Sequence, residues 1–204
     1  WAKTEGEMKS AEEILQQALR YKRYWGKKGG ITVSGGEALL QIDFVTELFT
    51  LAKEKGVNTC LDTAGNPFTR EEPFYSKFEK LMEVTDLFML DIKEIDEDEH
   101  KQLTGQTNKN ILDMATCLSD HGKAMWIRHV LVPGITDDDG QLHRLRAFID
   151  TLKTVERVEI LPYHTLGVFK WKELGIPYAL EDVEPPTKEQ VEHAREIIIP
   201  GYKS

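Results

Sequence analysis

The chain has 204 residues, of which 40% are hydrophobic and 30% charged, a composition typical of one soluble globular domain. Its 26 basic and 35 acidic residues leave a formal net charge of −9, which argues against nonspecific nucleic-acid binding. The apolar runs are too short to span a membrane, and the two cysteines, Cys60 and Cys117, exclude a disulfide framework. We therefore expect one cytoplasmic domain over residues 1–204, with no nucleic-acid or membrane partner.

Short apolar runs alternate with longer helical patterns along the chain. The predicted strands are Ile31–Ser34, Val57–Leu61, Leu87–Ile92, Met125–Val132 and Val158–Leu161. The predicted helices begin at the capping box Ser10–Glu13, at Asp43, near Asn108, after Thr136 and at Thr187. Strands that start roughly thirty residues apart, with helices between them, predict an α/β fold with a parallel sheet. The pattern alone leaves a barrel and a doubly wound sheet open.

The longest stretch without a regular pattern is Gly167–Pro186. It carries three aromatic residues, Phe169, Trp171 and Tyr178, which a flexible linker would not need. We therefore interpret it as a packed loop or lid.

Polar and flexible residues gather where the predicted strands end. In parallel α/β folds these ends meet at one rim, where ligands bind. The residues in question are Gly35, Gly36, Glu37, Asp62, Thr63, Asp91, Lys93, Arg128 and His164. Each has an ordinary structural explanation as a turn, a helix cap, an ion pair or a core histidine. Together they favour a site for a zwitterionic, sugar-bearing small molecule, because they combine exposed glycine backbone with both signs of charge.

The segment Val33–Ala38 resembles the GGE motif of radical S-adenosylmethionine (radical SAM) enzymes. Further similar segments follow in order along almost the whole chain: Thr59–Thr63, Asp86–Lys93, Trp126–Gly134, Ile160–His164, Lys170–Trp171 and Val183–Pro186. The series is similar to the pyruvate formate-lyase-activating enzymes. The resemblance implies a single-domain partial (β/α)6 TIM-like barrel and a [4Fe-4S] cluster that reductively cleaves S-adenosylmethionine. The resulting 5′-deoxyadenosyl radical would take a hydrogen atom from a glycine of pyruvate formate-lyase.

The resemblance also implies roles for individual residues. The backbone of Gly35, Gly36 and Glu37 is expected to bind the methionine amino group. Further contacts to S-adenosylmethionine are expected from Asp91, Ile92, Lys93, Arg128, Val130 and His164. A monovalent cation, Na⁺ or K⁺, is expected at Asp62, Thr63, Met89 and Asp91.

One feature of the resembled family is missing from the sequence, namely the cluster motif C-x-x-x-C-x-x-C. Cys60 and Cys117 cannot supply three thiolates from one loop, so both are expected to be small buried hydrophobic residues. In the family a tryptophan follows the third cysteine, and Trp1 is similar to it. We therefore expect a chain truncated after the cluster loop, without the first barrel strand. Its iron–sulfur ligands would lie outside the sequence, and the fragment would be inactive alone.

The expected partners are pyruvate formate-lyase, through its glycine loop, and an external electron donor such as flavodoxin or ferredoxin. Two other functions stay open. Lys93 could be the Schiff-base lysine of a barrel aldolase, although Asp91 two residues away disfavours it by keeping the lysine charged. Alternatively, the chain could be a non-catalytic module whose Gly167–Pro186 segment docks a partner peptide.

Overall fold

The protein is described by a computed structural model that covers residues 7–26 and 29–203, so the expectation about Trp1 lies outside the described residues. The strands are β1 (Gly30–Val33), β2 (Asn58–Thr63), β3 (Leu87–Asp91), β4 (Met125–Leu131) and β5 (Val155–Pro162). The helices are α1 (Ala11–Leu19), α2 (Ile42–Glu54), α3 (Phe74–Glu83), α4 (Glu97–Thr104), α5 (Lys109–Asp120), α6 (Asp139–Ile149), α7 (Val168–Leu174) and α8 (Lys188–Ile198).

The described strands form one parallel sheet whose spatial order, β1-β2-β3-β4-β5, is also their order in the chain. Each connection carries helical material, as a parallel crossover requires. A doubly wound sheet would reverse its strand order part-way, and this sheet does not. The architecture is therefore that of a partial barrel wall, which confirms the predicted α/β fold class.

Burial alternates along the three central strands and separates the two faces of the sheet. In β2, Thr59, Leu61 and Thr63 are buried, whereas Cys60 and Asp62 between them are half-buried. The same alternation runs through β3 and β4, where every second residue is buried beneath the helices. The second face, which corresponds to the barrel interior, is partly open. We call it the inner face.

Strand register decides which residues share the inner face. Asp62 pairs with Met89, and Asp91 pairs with Arg128. Val130 lies two residues beyond Arg128 and therefore points to the same side. Cys60 also lies on this face, so the prediction that it is buried was wrong, whereas Cys117 on α5 is buried as predicted.

A cluster of phenylalanines anchors α3 to the opposite face. Phe78 is fully buried and lies 4.9 Å from Phe68 in an edge-to-face arrangement. Its ring centroid is 6.1 Å from that of Phe88 in β3, which is also fully buried. Aromatic pairs at such distances stabilise a core beyond the area that they bury.

The helices depart from the sequence prediction in several places, and α3 and α4 were not predicted individually. Helix α2 begins at Ile42, one residue before Asp43, because a 3₁₀ turn at Ala38–Gln41 leads into it. The stretch Gly167–Pro186 is not wholly irregular, since it contains the two-turn helix α7. The capping boxes predicted at Ser10 and Thr187 are both present. None of the described helices has the length and apolar content needed to cross a membrane.

Replacing Phe78 by alanine is expected to lower the free energy of unfolding by about 3–5 kcal/mol, because it leaves a cavity among the other rings. Urea denaturation measures this. The matched control is Phe169→Ala, whose side chain is 55% exposed and whose effect is expected within about 0.5 kcal/mol. Equal effects at the two positions would contradict the core assignment.

Candidate functional site

The rim begins with two successive glycines after β1. Gly35 has φ +97° and Gly36 has φ +48°, conformations that side-chain-bearing residues rarely adopt. A Cβ built at either position would meet no heavy atom within 4 Å. The glycines are therefore required by the backbone conformation, and the space beside them is open to a ligand.

Glu37 fastens this glycine turn to the end of β2. Its carboxylate accepts hydrogen bonds from the Leu39 N–H at 3.0 Å, the Thr63 hydroxyl at 2.5 Å and the Ala64 N–H at 3.0 Å. The Thr63 hydroxyl in turn accepts the Gly65 N–H at 2.9 Å. With its carboxylate used in this way, Glu37 offers a ligand its backbone and acts through its side chain as a positioning residue.

The centre of the inner face is an ion network of three side chains from three neighbouring strands. Arg128 donates from Nε to Asp91 Oδ1 at 2.8 Å and from Nη1 to Asp62 Oδ2 at 3.1 Å. Its Nη2 makes a second, short bond to Asp62 Oδ1, so the pair with Asp62 is bidentate. The side chains of Asp62, Asp91 and Arg128 are 22%, 19% and 15% exposed.

Desolvation has its clearest effect on Asp91, whereas the two acids keep the pKa of Arg128 above its ordinary value despite burial. Burial raises the pKa of Asp91, and the charges of Arg128 and Lys93 only partly oppose this rise. Lys93 is half-buried two residues after Asp91, and its charge is one of those that oppose the rise in the pKa of Asp91. Asp62 and Asp91 together with Arg128 and Lys93 make a group of two acids and two bases, which suits a zwitterionic ligand.

The residues predicted to bind a monovalent cation divide between the two faces. Asp62, Met89 and Asp91 share the inner face, but the Thr63 side chain lies on the helix-covered face and is engaged with Glu37. Thr63 could therefore contribute its backbone carbonyl and not its hydroxyl. Among residues 7–26 and 29–203, no three His, Cys, Asp or Glu side chains converge as a metal site.

The remaining predicted contacts also lie at the rim. Ile92 is 1% exposed, so only its backbone can face the site, and its N–H donates to the Arg128 carbonyl at 2.9 Å. Val130 is half-buried on the inner face, and His164 is exposed just after β5. The structure thus brings the predicted residues to one edge of the sheet.

Two features of the site were not anticipated from the sequence. On the inner face, the Arg157 guanidinium lies 4.9 Å over the Trp126 ring and 3.0 Å from the Glu159 carboxylate. Strand register places Trp126 beside Arg157 and Arg128 beside Glu159. The spacing of two residues within W-I-R and R-V-E was the available signal, because it puts each pair on one face.

The second unanticipated residue is His129, which is 2% exposed. Its Nδ1 lies 3.0 Å from the carbonyl oxygen of Ile92, and its Nε2 lies 3.0 Å from that of Thr136. Both partners are carbonyls that can only accept, so a ring nitrogen that carries a hydrogen donates to its carbonyl, and the ring lies between the end of β3 and the loop after β4. His129 therefore supports the backbone that carries Asp91 and Lys93.

Two cofactor classes can be tested against these side chains. The open glycine turn and the balanced charges fit S-adenosylmethionine, which carries an amino group, a carboxylate and a ribose. The cysteines do not fit a [4Fe-4S] cluster, because Cys60 lies in β2 and Cys117 is buried on α5, 3.7 Å from the Tyr75 hydroxyl. No chemical step can be derived for a cluster from these residues.

Comparisons with known proteins agree with this geometry. Residues 1–145 match the Radical SAM superfamily. The chain is 57% identical over 190 residues to the pyruvate formate-lyase-activating enzyme of Streptococcus mutans, covering 93% of this chain and 72% of that protein. The chain belongs to the pyruvate formate-lyase-activating enzyme family of radical SAM enzymes.

A second relative supports this family, and a solved structure supports the fold. The pyruvate formate-lyase-activating enzyme of Listeria monocytogenes is 49% identical over 199 residues, covering 97% of this chain and 80% of that protein. A domain of pyruvate-formate lyase-activating enzyme from Bacteroides vulgatus superposes with a TM-score of 0.68 at 21% identity, over 85% of this chain and 96% of that chain. At that identity the second likeness concerns the fold alone. Enzymes of this superfamily use S-adenosylmethionine and a [4Fe-4S] cluster.

Replacing Arg128 by glutamine is expected to destabilise the protein by about 3 kcal/mol at neutral pH, because two half-buried carboxylates lose their counter-charge. The loss is expected to shrink as the pH falls. Without Arg128 the pKa of Asp91 rises further, so the folded state binds the proton more tightly than the unfolded state does. Stability then declines as the pH rises through the folded-state pKa.

Urea unfolding at about pH 5 and about pH 7 measures this difference. The control is Arg70→Gln, because Arg70 and its partner Asp113 are 46% and 42% exposed. An exposed pair of this kind is worth less than about 1 kcal/mol. A loss for Arg128→Gln that does not change with pH would contradict the proposed electrostatics.

Proposed function

We propose that this chain binds S-adenosylmethionine at the rim and forms the barrel of an enzyme that activates pyruvate formate-lyase. The observation that carries the proposal is the glycine turn beside a charge-balanced group, in a chain 57% identical to a pyruvate formate-lyase-activating enzyme. The proposed reaction is hydrogen abstraction from a glycine of pyruvate formate-lyase by a 5′-deoxyadenosyl radical derived from S-adenosylmethionine. Residues 1–204 are proposed to form one domain.

Each part of the ligand has a complementary group at the rim. The backbone oxygens of Gly35, Gly36 and Glu37 are proposed to accept hydrogen bonds from the methionine ammonium group, since the turn is open on that side. Lys93 is proposed to bind the methionine carboxylate, because Arg128 is already engaged by two acids.

The remaining contacts would hold the nucleoside. Asp91 is proposed to bind a ribose hydroxyl through the oxygen that Arg128 leaves free, since Arg128 bonds only to its Oδ1. The Ile92 backbone, Val130 and the exposed His164 would complete the wall of the site. Na⁺ or K⁺ is proposed to bind beside the carboxylate at Asp62, Asp91 and the backbone of Thr63 and Met89.

The iron–sulfur cluster and the electron donor are not assigned to the residues described above. The described cysteines do not fit the cluster, so electron delivery, for which flavodoxin or ferredoxin is the proposed donor, is not assigned to any side chain of this chain. The aldolase alternative finds no support, because Lys93 sits beside Asp91 and the family is one of radical SAM enzymes. Sodium borohydride with a carbonyl substrate is expected to leave Lys93 unmodified.

Substituting Gly36 by alanine is expected to weaken S-adenosylmethionine binding at least tenfold, because the turn loses the conformation that exposes its backbone oxygens. Isothermal titration calorimetry of this chain with S-adenosylmethionine measures the change. The matched control is Gly56→Ala, since Gly56 follows α2 with φ +63° and also has no atom within 4 Å of a built Cβ. Both substitutions strain the backbone by about 1–2 kcal/mol, but only the first should affect binding. Equal affinity in the two variants would contradict the assignment.

Binding of the polypeptide partner provides a second test. The chain, in the presence of S-adenosylmethionine, is expected to bind pyruvate formate-lyase and to bind less of a variant whose glycine loop has been deleted. Analytical ultracentrifugation with a labelled chain measures both. Failure to bind S-adenosylmethionine and pyruvate formate-lyase alike would overturn the proposed function.

A further inference from the structure

A cavity of about 860 Å³ lies next to the rim, lined by residues that follow the carboxyl ends of β3 and β4. We call it the acidic cleft. One wall begins at Glu94, the residue directly after Lys93, and continues onto α4; another is the loop after β4, including Gly134 and Asp137. The remaining wall is formed by α7 and the segment after it. A volume between about 300 and 1,000 Å³ is typical of ligand clefts.

The cleft is lined by one sign of charge. Its described lining includes four acidic residues, Glu94, Glu99, Asp137 and Asp138, and no basic one. Some of these carboxylates have structural partners, since Asp137 accepts the Gly134 N–H and Asp138 caps α6. The acidic lining alone therefore does not define a ligand site.

Glu94 supplies an independent observation. The residue is 2% exposed, and its Oε1 accepts the N–H groups of Ile95 at 2.6 Å and Asp96 at 3.0 Å. Its Oε2 has no hydrogen-bond partner among the described residues. Burial raises the pKa of this carboxyl group. A buried carboxylate oxygen without a donor is costly, so a cationic donor entering beside it would be stabilised.

The positions of the acidic side chains indicate which kind of cation the cleft can bind. No three His, Cys, Asp or Glu side chains in the described part of the chain converge on one point that could hold a metal ion. The carboxylates are instead spread along the cleft. Such a distribution complements a larger, extended cation, and a basic polypeptide segment has that form.

The aromatic wall adds a second complementary element. The Trp171 ring is 42% exposed and lies 5.4 Å from the ring of Tyr178. The Tyr178 hydroxyl is held 2.9 Å from the hydroxyl of Tyr163, which follows β5 and is buried, so the pair is anchored to the sheet. Exposed aromatic faces beside carboxylates bind guanidinium and ammonium groups through cation–π attraction.

We propose that the acidic cleft docks a basic segment of the polypeptide partner, placing an arginine or lysine side chain between Glu94 and Trp171. This inference rests on the proposed function only in taking the occupant to be a polypeptide. Because Glu94 directly follows Lys93, the docked segment would lie alongside the rim that holds S-adenosylmethionine. Electrostatic attraction would also speed the encounter.

The direct test uses a synthetic probe. A fluorescein-labelled twelve-residue peptide of glycine, leucine and three arginines is compared with the same peptide in which citrulline replaces each arginine. Fluorescence anisotropy with the intact chain is expected to show at least tenfold tighter binding of the arginine peptide, and the difference should shrink as salt is added. Equal affinities for the two peptides would overturn the proposal.

Variants locate the binding. Glu94→Gln keeps the shape and the Oε1 acceptor but removes the charge, and Glu99→Gln and Trp171→Ala alter the exposed walls. Each substitution is expected to weaken binding of the arginine peptide at least fivefold. The matched controls are Glu47→Gln and Glu83→Gln, exposed on α2 and α3 and outside the cleft lining, which should change nothing. Thermal unfolding confirms that each variant folds; if Glu94→Gln does not, the two exposed variants decide the result.

Binding measurements with pyruvate formate-lyase distinguish a failure of this inference from a failure of the proposed function. If the cleft variants bind both S-adenosylmethionine and pyruvate formate-lyase as tightly as the unmodified chain, the docking site is wrong and the proposed function stands. If they bind S-adenosylmethionine normally but pyruvate formate-lyase at least fivefold more weakly, the docking site is confirmed. If the unmodified chain binds neither, both proposals fall.

Discussion

The arrangement of the rim depends on the guanidinium of Arg128, which pairs with one carboxylate from each of two neighbouring strands. Adjacent parallel strands bring residues of the same face within a few ångströms, so Asp62 and Asp91 would repel each other without it. Half-buried ions of this kind contribute little net stability, because desolvation offsets their attraction. Their presence at the strand ends is therefore better explained by ligand binding than by folding. The raised pKa of Asp91 shows that burial disfavours its charged form more than the neighbouring positive charges favour it.

The ion network can bind a ligand in a defined geometry only if the backbone around it is fixed. Two side chains, one half-buried and one buried, fix this backbone. Glu37 joins the glycine turn to the end of β2, and His129 joins the end of β3 to the loop after β4. Both act on backbone groups, whose positions set where a ligand can bind. Each fully bonded polar group also avoids the penalty of burial without a partner.

The sequence predicted the sheet well because a buried parallel strand is a continuous apolar run, and all five runs became strands. It also placed Asp91 and Lys93 among the charged residues of one rim. It could not predict the pairs across strands: Arg128 is 66 residues from Asp62, and Glu37 is 26 residues from Thr63. Such contacts depend on register, which local pattern does not encode.

Two other departures from prediction have local causes. Cys60 was predicted to be buried because it lies mid-strand beside Leu61, yet its side chain faces the open side of the sheet. Helix α7 was missed because its exposed aromatic residues do not repeat on one buried face. Its short length and flanking glycines also resemble a loop.

Charge is divided into two zones along the strand ends. At the rim, the charges of two acids and two bases offset each other. Such a group favours a zwitterionic ligand whose charges match its geometry, because the ligand is attracted at both ends. In the acidic cleft the described charges have one sign, so they attract cations over a longer range, but screening by salt weakens them. A short-range, balanced site beside a long-range, acidic one would let a chain of net charge −9 hold a zwitterionic small molecule and a basic polypeptide at once. The two zones meet between Lys93 and Glu94, so one short segment after β3 carries a charged group of each zone.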